Sequence, residues 1–383
     1  MFSAFRGMLT GTTCPQNDQF VGKVPFSGHK MLPSTELVFA GERAIGTGQP
    51  CFVIAEVGVN HNGSVDLALR SIDVAAEAGA DAVKFQTFRA EKLVTKAAPT
   101  AKYQAENTGK QQTQFQMLKS LELSDADHRV ITEHCRARGI LFMSTPFDED
   151  SATMLNSLGM TIFKVPSGEL TNLPLLRHIA GFGRPLVIST GMSTLGDVEA
   201  AVSAVESTGN GQIILLHCVS NYPAAAGDVN LRAMLSMRAA FGLPVGYSDH
   251  TLGIEVSLAS VALGACVVEK HFTLDRSLPG PDHRASSEPE ELRRLIAGIR
   301  TVEACLGTGR KAPCSAELDT AKAARRSLVA AADLSAGTCL TDEMIAIRRP
   351  GTGLPPAMKP YLISRTLRVP LAAGELLRLE DVG

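Results

Sequence analysis

Eight short apolar runs, each parted from the next by a longer amphipathic stretch, limit this chain to a parallel α/β architecture. The runs are CFVIAEV (51–57), AVKFQ (82–86), LFMST (141–145), IFKV (162–165), PLVIST (185–190), IILLHC (213–218), LPVGYSD (243–249) and CVVEKHF (266–272). Each is near-continuous and bounded by Gly or polar residues, as strands buried on both faces are. Between them, apolar residues recur at helical spacing, for example over 66–78, 195–205 and 288–304. Pairs such as Gly79-Ala80, Gly159-Met160 and Gly264-Ala265 close a helix before the next run, because glycine accepts the left-handed conformation that ends a helix. Eight strand–helix units over roughly 250 residues match a (β/α)8, or TIM, barrel. The rival is an open doubly wound sheet, but no G-x-G-x-x-G follows Val57. A polar excursion over 87–123 interrupts the alternation after the second run, where a lid or part of a site is expected.

Past Cys305 the texture changes. LGTGRKAPCSAE reads as a linker, and two similar pieces follow it, SLVAAADLSAGTCLTDEMI and TLRVPLAAGELLRLEDV. Each couples an apolar strand to an Ala-Gly turn, so a small, loop-rich β domain is expected. The expected organisation is a poorly ordered extension over 1–40, a barrel over 41–308, a linker over 309–324 and the small domain over 325–383.

Composition excludes several function classes. Of the 383 residues 45% are hydrophobic and 20% charged, with a formal net charge of -2, ordinary values for a soluble globular protein. No basic stripe points to nucleic acid, so an acidic substrate must be gripped by local cations. No apolar run approaches the ~18 residues of a membrane span. The first 40 residues lack the apolar core of a secretory signal. The eight cysteines form no C-x-x-C pair and read as free thiols, which points to the reducing cytoplasm.

In a barrel the chemistry sits at the C-terminal ends of the strands, so what closes each run decides the reading. Glu56 closes the first. Lys84 and Gln86 lie in the second and Lys164 in the fourth, followed by Ser167 and Glu169. Ser189 ends the fifth; His217, Ser220, Asn221 and Tyr222 follow the sixth. Ser248, Asp249 and His250 end the seventh, and Glu269, Lys270 and His271 the eighth, with Asp282 and His283 in its loop. A charge inside such a strand is costly unless paired or used. Lys84 and Lys164 are therefore candidate grips for a carboxylate or phosphate; the alternative is pairing with a carboxylate such as Glu56 or Glu169. His250 and His271 end adjacent strands, where one divalent ion (Mn2+, Mg2+ or Zn2+) could bridge both imidazoles, although satisfied structural histidines fit the spacing equally. His217 reads as structural. Glu56, Glu169 and Asp282 are candidate acids, bases or hydroxyl binders.

The stretches AEVGVNHNGS, DAVKFQTF, STPFD, FKVPSGE, ISTGMST, LHCVSNYP, GYSDHT, VEKHFTLDRSLPGPDHRAS and RRPGTGL, in this order, resemble the bacterial sialic acid synthase family from about residue 45 onward. The C-terminal piece is similar to that family's antifreeze-like (SAF) domain. The resemblance implies a transferase: phosphoenolpyruvate attacks the aldehyde of open-chain N-acetylmannosamine through C3, water adds at C2, and phosphate leaves with C–O cleavage. It implies His250 and His271 as ligands of a divalent metal, Mn2+ before Mg2+ or Co2+. Lys84, Lys164, Ser167, Ser189, Ser220 and Ser248 would hold phosphoenolpyruvate, and Glu169 would handle the water or a proton. Glu56, Gln86, Tyr222 and Asp282 would contact the sugar or intermediate. Arg349 would reach into a partner's barrel and meet the N-acetyl group, which requires a domain-swapped homodimer. One departure is that Ser220 stands where the family often carries Asn, with Asn221 next. The rival product is N,N'-diacetyllegionaminate, made from a 2,4-diacetamido-2,4,6-trideoxy sugar. A metal-dependent aldolase without a phosphate pocket and a non-catalytic sugar-binding barrel are the remaining readings.

Overall fold

A computed structural model describes residues 37–99 and 113–383. Most of the expected extension and the middle of the polar excursion lie outside the described residues. Two compact units divide the chain between Leu306 and Gly307.

The first unit opens with a hairpin, β1 (Leu37–Ala40) and β2 (Arg43–Gly46). This corrects the expected extension, which ran to residue 40: Val38 and Ala40 alternate inward and are buried, so these residues belong to the fold. Then come β3 (Phe52–Gly58), β4 (Ala82–Thr87), β5 (Leu141–Pro146), β6 (Phe163–Val165), β7 (Leu186–Ser189), β8 (Ile213–His217), β9 (Val245–Asp249) and β10 (Val267–His271). They form one parallel sheet in the order β5-β4-β3-β10-β9-β8-β7-β6. β10 pairs with β3, and β5 lies against β6, so the sheet curls into a nearly closed barrel.

Helices alternate with the strands: α1 (Val65–Ala78), α2 (Ala90–Leu93), α3 (Gln114–Leu121), α4 (Asp125–Arg138), α5 (Glu149–Ser157), α6 (Leu173–Ala180), α7 (Leu195–Glu206), α8 (Ala233–Phe241), α9 (Glu255–Ala262) and α10 (Pro289–Leu306). Their ends follow local chemistry. Ser64 caps α1 by accepting from the Leu67 N–H, and Gly79 stops it at φ 86°. Thr113 with Gln116, Ser124 with Asp127 and Thr194 with Asp197 form reciprocal capping boxes for α3, α4 and α7.

Strand alternation sorts the core into two. Val53, Ala55, Val83, Phe85, Leu215 and Val268 face outward and pack with the helices. Phe52, Ile54, Ala82, Met143, Val187 and Ile214 face the lumen and, with Val38 and Ile45 of the hairpin, fill its N-terminal half. Each of the Val, Ile, Leu, Met and Phe side chains among them stabilises by roughly 1.5–3 kcal/mol. Gly246 belongs to the lumen set; a Cβ there would stand 2.5 Å from the Val267 carbonyl oxygen. The lumen is thus plugged by apolar side chains from below, and the next layer up is polar.

The second unit, Gly307–Gly383, contains α11 (Glu317–Ala324), so the stretch expected as a linker is partly helical. β11 (Ser327–Ala330) pairs antiparallel with β12 (Ile345–Arg348), and α12 (Lys359–Leu362) follows. Single bridges such as Leu334–Leu371 tie the two similar sequence pieces together around Leu328, Leu340, Leu367 and Leu377. Among the described residues no helix is long and apolar enough to cross a membrane.

Candidate active site

Above the apolar plug, the next lumen-facing positions carry Glu56, Lys84, Lys164 and Glu269, all buried. Lys84 Nζ stands 2.9 Å from Glu56 Oε2 and 3.6 Å from Glu269 Oε2, and donates to Thr145 Oγ1 at 3.1 Å. Lys164 Nζ donates to Ser189 Oγ at 2.7 Å and to the Val165 carbonyl at 3.1 Å, with Glu269 Oε1 at 3.8 Å. Ser248 Oγ donates to Glu269 Oε1 at 2.9 Å. Two cations and two carboxylates thereby share one dehydrated space, each making the others tolerable.

Their protonation differs with partner count. Burial works against the Lys84 ammonium, but Glu269 and Glu56 outweigh it and hold the group above its ordinary value. Burial lowers Lys164, which Glu269 only partly restores. Burial also opposes the Glu269 carboxylate, yet Lys164 and Lys84 pull it down to about 2. Glu56 is pushed up to about 7 by burial, Lys84 notwithstanding. Glu269 is thus the firm anion of the cluster, and Glu56 the carboxyl that can carry a proton at neutral pH.

Of the two partners weighed from sequence, Glu56 meets Lys84. Glu169 does not meet Lys164: it sits in a short turn after β6, where its Oε2 accepts from Asn172 Nδ2 at 2.7 Å. Lys164 faces Glu269 instead. Glu269 has no role in the sequence-based expectation, although its parity is that of His271 and of Glu56 on the next strand.

Beside Lys164 lies a set of hydroxyls. Ser167 Oγ accepts from the Gly191 N–H at 3.0 Å and touches Cys218 Sγ at 3.1 Å. Ser220 Oγ is buried without a hydrogen-bond partner among the described residues. A Cβ on Gly191 would stand 2.2 Å from Ser220 Oγ and 2.8 Å from Ser167 Oγ, so only glycine lets the backbone approach this close. An ammonium, three serine hydroxyls and a backbone N–H gathered in one place have the donor chemistry of an anion receptor.

The imidazoles of His250 and His271 lie with ring centroids 5.6 Å apart, and Tyr222 packs on His250 at 4.2 Å. His250 Nδ1 donates to the Val219 carbonyl at 2.6 Å, which fixes the proton there and leaves Nε2 as a lone pair. His271 has a buried Nδ1 that meets no partner among the described residues. Burial lowers both histidines, and the neighbouring His250 lowers His271 further, so both are neutral near pH 7. Neutral, oriented imidazoles, His271 with an unpartnered Nδ1 among the described residues and His250 with only the Ser248 hydroxyl at 3.4 Å on its Nε2, fit a divalent cation. No third His, Cys, Asp or Glu completes a ligand group among the described residues, so water or substrate oxygen would fill the remaining positions.

Behind the strands, Asp249 and Lys270 face outward and pair at 2.8 Å. Asp249 also accepts from the Thr251 N–H and the hydroxyls of Thr251 and Ser257, and Lys270 donates to the Thr251 carbonyl. This staple joins β9 to β10 one residue before each imidazole. On the other flank, Asn60 Nδ2 donates to the Phe272 carbonyl and to Ser286 Oγ, and Ser286 Oγ donates to the Asp282 carbonyl. That chain fixes the loop bearing Asp282, whose carboxyl burial pushes up to about 6. His217 Nε2 donates to the Val229 carbonyl at 2.6 Å, in keeping with a structural role.

A cavity of about 110 Å3 opens beside His271, walled by Gln86, Tyr222 and Asp282 on one side and by Met117, Leu118 and Leu121 of α3 on the other. The expected site residues of the barrel thus gather around one lumen, Glu169 at its margin. Arg349 is exposed after β12 in the second unit.

The NeuB family model matches residues 71–311 and the SAF domain model residues 325–383. The chain is 48% identical to the N,N'-diacetyllegionaminic acid synthase of Legionella pneumophila, over 89% of this chain and 97% of that one. It is 38% identical to the human N-acetylneuraminate-9-phosphate synthase, over 82% and 87% of the two chains. Among solved structures it is similar to the N-acetylneuraminic acid (sialic acid) synthetase of Leptospira borgpetersenii in complex with citrate, with a TM-score of 0.66, 36% identity, and coverage of 75% of this chain and 95% of that one.

Proposed function

From the premise that this chain belongs to the NeuB family of synthases and carries a SAF domain, we propose that it joins phosphoenolpyruvate to an open-chain N-acylated amino sugar with release of phosphate. N-acetylmannosamine, giving N-acetylneuraminate, is one acceptor; 2,4-diacetamido-2,4,6-trideoxymannose, giving N,N'-diacetyllegionaminate, is the other, favoured by the similarity to legionaminic acid synthases. The observation that carries the reading is the pairing of an anion receptor with two neutral imidazoles in one lumen.

Lys84, Lys164, Ser189 and Ser248 hold the carboxylate of phosphoenolpyruvate, while Ser167, Ser220 and the Gly191 N–H hold its phosphate. Binding the two anions draws the lysines partly away from Glu56 and Glu269, which offsets desolvation of the ligand. A divalent cation held by His250 and His271, Mn2+ before Mg2+ or Co2+, would supply Lewis-acid polarisation of a carbonyl oxygen. C3 of the enol forms the new C–C bond to the aldehyde carbon, whose oxygen takes a proton. Glu56, with a value of about 7, is suited to deliver it. Water adds at C2 with Glu169 as base, and the C2–O bond to phosphate breaks. Gln86, Tyr222 and Asp282 orient the sugar. Arg349 of a domain-swapped partner meets the N-acyl group. Buried free thiols at Cys51, Cys135, Cys218 and Cys266 suit the cytoplasm.

A phosphate-release assay with phosphoenolpyruvate and each sugar in turn tests this. Release should require both substrates, and in H2(18)O the label should enter the nonulosonic acid rather than the phosphate. Release that needs no sugar, or label in the phosphate, would refute it; an aldolase reading predicts no phosphate.

A further inference from the structure

We propose that α3 is the specificity wall of the acceptor site: Met117, Leu118 and Leu121 receive the end of the sugar remote from the aldehyde and select a methyl-ended, 6-deoxy chain over a hydroxymethyl or phosphorylated one. This rests on the synthase reading above.

The cavity beside His271 is lined by two unlike sets of side chains. Gln86, Tyr222, His271 and Asp282 form the polar set, and Gln86 joins it to the lysine cluster, since its Nε2 donates to Glu56 Oε1 at 3.5 Å and Glu56 pairs with Lys84. The aldehyde must approach that side to meet the nucleophile, so the other end of the chain is left to α3. There the wall is hydrocarbon. The capping box at Thr113 starts the helix, and helical spacing puts Met117 and Leu121 on one face with Leu118 beside them. Their exposures are 2%, 7% and 8%, and Val59, Phe88 and Ala90 back them in a small separate core. Lys119, the helix's cation, is turned to the outer face, where Glu91 and Glu122 each take it at 2.9 Å. Lys84 and Lys164 are committed deep in the lumen. Among the described residues, no cation faces this cavity to meet a phosphate, and α3 offers no side-chain group to replace the water lost by a terminal hydroxyl. A methyl group loses nothing there and gains contact.

The full-length protein, with phosphoenolpyruvate and Mn2+, is assayed for phosphate release with N-acetylmannosamine, its 6-deoxy analogue and its 6-phosphate. The 6-deoxy sugar should exceed the parent by about 10- to 100-fold in kcat/KM, the range a single group in an apolar pocket commands. The 6-phosphate should give no saturable turnover. Leu118→Gln should bring the 6-deoxy and hydroxymethyl sugars to within about threefold of each other, and Leu118→Met should keep the preference. Equal or better use of the hydroxymethyl sugar by the unaltered protein overturns the proposal, and so does an unchanged ratio in a folded Leu118→Gln protein. If that variant does not fold, the ratio in the unaltered protein decides. Phosphate release with none of the three sugars or with the 2,4-diacetamido sugar removes the synthase reading itself, a different failure.

Discussion

Ser220 has no hydrogen-bonding role among the described residues, and the proposed chemistry gives it one. Its hydroxyl is buried without a partner among the described residues, so Ser220→Ala should leave the melting temperature unchanged or slightly higher. A hydrogen bond to a charged group contributes about 1.5–3 kcal/mol, so KM for phosphoenolpyruvate should rise roughly 10- to 100-fold. A fall in stability with unchanged KM would place Ser220 outside the anion receptor. His271→Ala should weaken Mn2+ binding at least tenfold by isothermal titration, and EDTA should abolish activity that Mn2+ restores. Unchanged affinity would strike this histidine from the ligands. The flanking histidines report on pH. His61 and His283 are buried and lowered to about 4 from 6.5. The unfolded chain therefore binds protons that the native one refuses, and stability falls as pH drops from 6.5 towards 4, by roughly 3 kcal/mol per group. The urea midpoint should drop between pH 7 and pH 5; in His61→Gln the drop should shrink, and an identical slope would show that His61 does not supply it.

At the scale of elements, β9 and β10 hold the imidazoles only as firmly as the strands hold each other. The Asp249–Lys270 staple is buried, so Lys270→Met strands a carboxylate and should cost about 3–5 kcal/mol. Adding Asp249→Asn should recover more than half of that in chemical denaturation, since a neutral pair needs no counter-charge. If the double variant is no more stable than the single, the loss is one of packing. The strands themselves were legible in the sequence because a strand buried on both faces has no choice but to be apolar. The helix end at Gly79 was legible in the sequence; the cap at Ser64 came with the structure. The N-terminal hairpin was not: in LVFAGERAIG the inward set is Val38, Ala40 and Ile45, too short a pattern to separate from a loop until the barrel floor is present to bury it. Nor was the helix over Glu317–Ala324, which buries none of its residues and so carries no apolar stripe.

For the whole molecule, the exposed Arg349 of the second unit is the one proposed site residue that demands a second copy of the chain. Arg349→Ala should raise KM for the sugar with little change for phosphoenolpyruvate. Mixing it, after subunit exchange, with inactive Lys84→Met protein should recover up to about a quarter of the activity, because one hybrid site then holds both intact residues. No recovery in a demonstrated hybrid would mean that Arg349 acts within its own chain or not at all. The sequence by itself determined the barrel, because apolar runs at strand length and amphipathic runs at helix length bury their surface in few other ways. It also determined which strand ends carry Lys84, Lys164, His250 and His271, since position along a strand is a local property. What only the tertiary structure decided is which charges answer one another. Curling the sheet brought Glu269 within reach of both lysines and left Glu169 with Asn172. Such pairings depend on distances across a closed lumen, and strand order, stagger and tilt set these together; no single stretch of sequence encodes them.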